Sequence, residues 1–254
     1  MLGWWRKRRL PPPIPEPLWQ ATVDTYPFLR QPTQAASQRL RLLAAQFLAD
    51  KEFHGARGLV ITDEMALAIS AQAVLPVLHL GLRWYDDFVG IVVHAGQVVA
   101  RRKTQDAVGV VHEWDEVLAG EAMQDGPVML SWSDVQRAAG AADDGYNVVV
   151  HEFIHKIDMR DGAADGCPPL PARRRRQWIA TMEAEYERFR EQVRIAQRFS
   201  GEPPWLDAYA AENPGEFFAV AGEAYFVNRP RFAQEFPALL EPFDDFFRRD
   251  PALL

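Results

Sequence analysis

His151-Glu152-Phe153-Ile154-His155 sets two imidazoles four residues apart with a carboxylate directly after the first. On a helix this spacing brings both histidines to one face, one turn apart, and lets Glu152 reach a water bound to a shared metal ion. A catalytic zinc site asks this of a single helix. The flanking residues agree. Gly145-Tyr146-Asn147 supplies a turn and an N-cap residue, and the run 148–158 carries a helical period. At about 100° per residue, Val150, Phe153, Ile154 and Ile157 gather on one side, while His151, Glu152, His155 and Asp158 gather on the other. A buried helix whose histidines only hydrogen-bond within a core would explain neither Glu152 nor this division.

Around this helix the chain has 254 residues, 48% hydrophobic and 11% aromatic, enough to bury a well-packed core. Its net charge of −7 argues against a general nucleic-acid-binding surface. Cys167 is the only cysteine, so an intramolecular disulfide is excluded and cysteine cannot build the metal site. The start, Met1-Leu2-Gly3-Trp4-Trp5-Arg6-Lys7-Arg8-Arg9-Leu10, is basic as a signal peptide would be, but Pro11-Pro12-Pro13 stands where an apolar stretch should follow. No segment approaches the roughly 18 apolar residues of a membrane span. A cytoplasmic chain with no membrane span and no direct nucleic-acid partner is expected. Trp4 and Trp5, beside four cations, are expected to pack on the domain rather than on a membrane surface.

The pattern predicts a proline-rich, irregular segment over 1–33, pinned to or flanking the rest by aromatics such as Trp19, Tyr26 and Phe28, and a single domain over 34–254. Residues 33–53 read as an amphipathic helix broken by the glycines at 55 and 58, and Thr62 caps an apolar helix running to about residue 79. Residues 88–93 and 98–99 flank Ala95-Gly96-Gln97 and predict a hairpin, while 108–112 and 128–132 add two strands, the second leading into a short helix at Ser133-Asp134. A turn-rich loop over 161–171 precedes a long charged helix over 172–199, a helical section over 213–228 and short terminal helices over 232–247. Arg173-Arg174-Arg175-Arg176, followed by Glu183, Glu185 and Glu187, reads as a solvated face with intrahelical pairs. The expected class is α+β, mainly helical, with a small mixed or antiparallel sheet.

A catalytic zinc ion takes three protein ligands and keeps a fourth position open, so the histidine pair needs one more donor. His54, His79, His94 and His112 all precede the motif without ligand-like spacing, and no third histidine follows closely, which points to a later carboxylate. The candidates are Asp158, Glu212, Glu216 and Glu223. Asp158 is one turn beyond His155 on the same helix and suits support of an imidazole. Glu216 and Glu223 are seven residues apart and nearly in line on one helix, and Glu216 is favoured for its apolar surround. Asn213-Pro214-Gly215-Glu216 also resembles a capping box, and the residues alone leave both readings open.

The combination His151-Glu152-Phe153-Ile154-His155-Lys156-Ile157-Asp158, Tyr209-Ala210-Ala211 and Pro214-Gly215-Glu216-Phe217-Phe218-Ala219-Val220 resembles the Mlc titration factor A family of zinc peptidases. More distantly it resembles the catalytic domain of anthrax lethal factor. Phe53-His54-Gly55, Gly58-Leu59-Val60-Ile61-Thr62-Asp63-Glu64-Met65 and Trp84-Tyr85 are similar to the same family, so the resemblance runs from about residue 53 to 226. It implies a zincin-like metallopeptidase domain with one catalytic Zn2+ and a gluzincin-like ligand set of His151, His155 and Glu216, with Glu152 as general base. Tyr209, seven residues before Glu216, would hydrogen-bond the developing oxyanion, although its spacing also admits an ordinary packed tyrosine. Gly222 and Ala224 stand where stronger helix formers or an aromatic are expected.

The same resemblance implies aminopeptidase-like cleavage of small peptide substrates and an interaction with the transcriptional repressor Mlc, which would tie the chain to the glucose phosphotransferase system. An extended substrate could align on an edge strand, for which 128–132 is the candidate. The alternative is a non-catalytic, repressor-sequestering protein with a vestigial or structural zinc site. A structural site would close all four positions with protein groups and has little use for Glu152.

Overall fold

Cap residues mark where the principal helices begin. Thr33, Thr62, Asn147 and Asn213 each accept a hydrogen bond from the backbone N–H three residues on, satisfying a donor that the first turn would otherwise leave orphaned. In the computed structural model, which describes residues 11–105, 111–162 and 164–248 (along 100–105 and 111–117 the backbone alone), the elements run as follows. Helices α1 (Glu16–Thr25) and α2 (Gln34–Asp50) lead into β1 (Glu52–Gly55), then α3 (Asp63–Ala73) and five strands: β2 (Gly90–His94), β3 (Val98–Gln105), β4 (Val111–Leu118), β5 (Gly120–Ala122) and β6 (Val128–Ser131). Helices α4 (Trp132–Arg137), α5 (Val148–Asp158), α6 (Ala172–Phe199), α7 (Pro214–Val227), α8 (Arg229–Glu235) and α9 (Pro237–Phe247) complete the α+β chain.

The sheet order is β1-β2-β6-β5, with the first three strands parallel and β5 antiparallel at one edge. Two sequence expectations change here. Residues 88–99 do not form a hairpin, because β2 pairs with β1 and β6 while β3 pairs with β4 in a separate antiparallel ribbon. Ile91 and Val93 face the core, where both are fully buried, but strand-like composition carries no information about which strand lies alongside. Strand β6 is interior rather than an edge; the sheet ends in β1 and β5, and β5 is the edge strand that packs against α5. The strand expected over 108–112 falls partly outside the described residues.

Three helix boundaries also move. Residues 16–25 are helical rather than irregular, since Pro15 at the cap and Pro17 in the first turn occupy positions where no helical N–H is needed. Trp19 and Tyr26 are buried, and the Tyr26 hydroxyl donates to Val135 O at 3.2 Å. Trp4 and Trp5 lie outside the described residues. Helix α2 stops at Asp50 and residues 52–55 turn into β1. Helix α3 ends at Ala73 rather than near 79, because Pro76 disfavours helical geometry in the residue before it.

The core is layered around α5, which packs on the sheet through β5 and β6 and on its other flank against α3 and α7. Phe153 meets Tyr85, Phe47 and Phe88 edge-on, with ring centroids 5.0, 5.5 and 5.9 Å away. A Cβ at Gly222 would come within 2.9 Å of Ile154 Cγ1. Glycine there lets α7 approach α5 closely, which explains a residue that helix propensity alone disfavours.

Candidate metal centre

Helix α5 carries His151 and His155 on one face, and α7 delivers Glu216 from its first turn. Asn213 caps that turn by accepting from Glu216 N at 3.0 Å, while the Glu216 carboxylate faces the histidines rather than folding back on its own cap. His151 Nε2 and His155 Nε2 are 3.1 Å apart, and Glu216 Oε2 lies 3.1 and 3.2 Å from them. A tetrahedral ion with the usual zinc bond lengths would hold such ligands about 3.3–3.4 Å from one another. The nearly equilateral triangle is close to that size.

Electron pairs, not only distances, call for a cation here. His151 Nδ1 donates to Glu223 Oε1 at 2.7 Å, which leaves a lone pair on His151 Nε2 in the neutral ring. That lone pair and the Glu216 oxygen aim at one point, an arrangement that only a proton or a metal ion between them reconciles. Glu223 is in turn held by the Asn147 backbone N–H, and the Asn147 side-chain amide donates to Gln72 Oε1 at 2.8 Å. Glu223, Asn147 and Gln72 are all buried. They orient the His151 ring in the way outer partners orient a metal-binding imidazole.

Of the four carboxylates weighed as donors, Glu216 joins the histidine pair and Glu223 stands behind His151. Among the described residues Asp158 does not hydrogen-bond an imidazole. It is fully buried, its Oδ2 accepts from Gly166 N at 2.8 Å, and it ties the loop after α5 to the helix end. Glu212 lines a groove of about 670 Å³ between α6 and the Tyr209 turn.

Glu152 is 4% exposed and packs flat on the sheet edge, because β5 presents Gly120 to it. A Cβ at Gly120 would lie 2.4 Å from Glu152 Oε1. The Ala122 backbone also hydrogen-bonds the carboxylate. Among the protein's own charges, burial raises the Glu152 pKa, His151 opposes that shift, and Glu216 and Glu223 reinforce it, leaving it at about 8. Burial likewise lowers the His155 pKa. On Glu216, burial raises the pKa, but its hydrogen bonds to the two histidines outweigh this and hold it well below the usual carboxylate range.

Tyr209 sits in a single helical turn over residues 208–211, is 36% exposed, and places its ring centroid 6.2 Å from that of His151. It lines both the α6 groove and a second cleft of about 320 Å³ that opens beside His151 and Glu152. Leu118, Ala119 and Gly120 form one wall of the second cleft, and Arg137 and Tyr146 line it too. Sequence reading placed no functional weight on Gly120, Arg137 or Tyr146. The heptad interval between Glu216 and Glu223 was the one signal that pointed to the support behind His151.

Among the described residues no helix is long and apolar enough to cross a membrane. The family model described as glucose-regulated metallo-peptidase M90 matches residues 2–248. The chain is similar to Mlc titration factor A of Serratia proteamaculans, at 34% identity over 252 residues covering 99% of this chain and 94% of that one. The protein of the same name from Yersinia pestis is 32% identical over 253 residues, covering 99% of this chain and 91% of its own, and that from Yersinia pseudotuberculosis matches to the same extent. With a His-His-Glu triangle at its centre and a match over nearly its whole length, the chain belongs to the glucose-regulated metallo-peptidase M90 family.

Proposed function

We propose that this chain is a zinc-dependent peptidase of zincin-like architecture, with His151, His155 and Glu216 as the ligands of a single catalytic ion and Glu152 as general base. The observation that carries the reading is the convergence of three donor atoms within 3.1–3.2 Å of one another beside a buried carboxylate. Two imidazoles and one carboxylate suit zinc better than magnesium or calcium, which prefer all-oxygen sets. In a three-ligand site zinc supplies Lewis acidity, polarising a peptide carbonyl and lowering the pKa of water toward about 7.

The protein groups then divide the remaining work. Glu152, ionised when it faces a dication, accepts a proton from the attacking water and passes it to the leaving amine. Tyr209, on the rim beside His151, would donate its phenolic hydrogen to the oxyanion. Strand β5 would align the substrate. Ser131 N of β6 donates to Ala119 O at 2.7 Å and Met123 N donates to Pro127 O, just before β6, at 3.3 Å, so the alternation of an antiparallel ladder turns the backbone groups of Gly120 and Ala122 outward. Ala122 serves Glu152, and Gly120 offers its backbone to an extended peptide. Aminopeptidase-like action on small peptides is the preference that the family resemblance favours.

Glu152→Gln should retain the metal and lose hydrolysis; hydrolysis at the unmodified rate would overturn the assigned mechanism. Glu216→Ala should lose most of the bound metal, and undiminished content would move the third ligand to another carboxylate.

The name shared by the relatives, Mlc titration factor A, supports a second role. We infer that this chain also associates with the repressor Mlc. Recovery of intact Mlc after a pull-down with the zinc-loaded, hydrolytically active chain would separate that association from turnover, and Mlc cleaved by the unmodified chain but left intact by Glu152→Gln would mean that it is a substrate.

A further inference from the structure

The cleft beside Glu152 ends in a wall that the peptidase chemistry leaves unexplained. Three of its carboxylates are already engaged. Asp134 is buried and accepts from Gln97 Nε2 at 3.1 Å and from the Tyr146 hydroxyl at 3.2 Å, Glu223 serves His151, and Glu152 is held by Ala122. Asp207 belongs to the Tyr209 turn, where its Oδ1 accepts from Tyr209 N at 2.9 Å. Against these stands one exposed cation of the cleft lining, Arg137. Its guanidinium lies over the Tyr146 ring, 4.9 Å from the centroid, and among the residues whose side chains are described it has no carboxylate within ion-pair distance.

The support under Arg137 is built rather than incidental. Asp134 fixes the Tyr146 hydroxyl from α4, the helix that also carries Arg137, so the ring is held as a platform for the guanidinium. A stacked guanidinium keeps its planar fork of donors pre-organised for a carboxylate. His151 and Glu152 line this cleft, while His155 and Glu216 do not. The cleft therefore opens on the flank of the triangle that carries His151 and Glu152, and in the peptidase reading Glu152 is the group that passes a proton to the leaving amine.

We propose that Arg137, seated on Tyr146, is a specificity-determining residue that binds a carboxylate on the leaving-amine side of the scissile bond. The inference rests on the peptidase reading above. The carboxylate could belong to an acidic side chain or to the free C-terminus of a short substrate, and the chemistry of recognition is the same for both.

The test compares peptides that differ only in the residue after the scissile bond, Glu against Gln, each with a free or an amidated C-terminus. Cleavage of each by the zinc-loaded full chain and by its Arg137→Gln and Arg137→Lys variants is measured as kcat/KM. The expected result is an anionic preference of about ten- to a hundredfold, the scale of one charge-assisted contact. Arg137→Gln abolishes that preference, read as the ratio of kcat/KM on the anionic and the neutral peptides, and Arg137→Lys restores part of it. A preference that follows Glu over Gln identifies the side chain, and one that follows the free terminus identifies the terminal carboxylate. An unchanged ratio in Arg137→Gln overturns the proposal and leaves the peptidase intact. If no peptide is cleaved the peptidase reading fails, and calorimetric binding of the same peptides still decides the role of Arg137: a weaker anion affinity in Arg137→Gln supports it, and equal affinities overturn it.

Discussion

Gly120→Ala probes the contact that sets the general base. The added Cβ would lie 2.4 Å from Glu152 Oε1, 2.7 Å from its Cγ and 2.8 Å from its Cδ, where ordinary contacts begin at 3.4 Å. The carboxylate must therefore retreat by about 1 Å, and it has little room, since Glu152 is 4% exposed and its carboxylate is hydrogen-bonded by Ala122. Misplacing a reacting group by about 1 Å costs on the order of 10²-fold in rate, so kcat/KM should fall by about that factor. Overpacking of this kind costs about 1–3 kcal/mol, lowering Tm by roughly 2–12 °C in a chain of this size. Zinc content should not change, because the methyl group touches none of the three donor atoms. Gly90→Ala is the control: its Cβ would meet Pro127 Cβ at 3.5 Å, an ordinary contact, and activity should stay within about twofold. A Gly120→Ala chain with full metal content and unchanged kcat/KM would refute the placement of Glu152 against β5 or its role as proton acceptor.

Glu223→Gln weakens the support behind His151 and should cost about 10- to 100-fold in zinc affinity, read by competition with a chromophoric chelator; unchanged affinity would remove Glu223 from the site. Asp158 is raised from 3.8 to about 7, mainly by burial. The folded state therefore holds its proton more tightly than the unfolded state, and the associated stability, fully present below about pH 4, is lost as pH rises through about 7. Urea midpoints measured across that window should decline for the unmodified chain and lose most of that slope in Asp158→Asn; identical slopes would contradict the assignment. Lys156 is fully buried, donates to Met123 O at 2.9 Å and stands 3.5 Å from Asp87. Lys156→Met should destabilise by about 3 kcal/mol, the low end for a broken buried pair because Arg160 still faces Asp87. A calorimetric Tm unchanged by that substitution would show the tether to be idle.

What could be read from sequence was what local chemistry encodes. Asn147 and the division of apolar and polar residues over 148–158 located α5 at its observed bounds, and the charged run over 172–199 did the same for α6. The demand for a third donor narrowed the search to four carboxylates, and the family resemblance singled out Glu216 among them. Sheet order was not legible, since β2 and β3 both read as good strands and nothing local says that one joins a parallel sheet and the other an antiparallel ribbon. Helix α1 was hidden by prolines that sit at its start, where they are harmless. Gly120 carried no signal of its own and Gly222 read only as a weak helix former, because each is explained by a partner distant in sequence, Glu152 and Ile154. Glu223 was visible as a candidate ligand, but only the approach of α7 to α5 shows it engaging the far nitrogen of His151.

The central claim is tested most directly by a zinc-edge anomalous difference map from crystals of the zinc-loaded chain. The account predicts a single peak about 2.0–2.2 Å from His151 Nε2, His155 Nε2 and Glu216 Oε2. A peak elsewhere, or one in contact with only the two histidines, would contradict it.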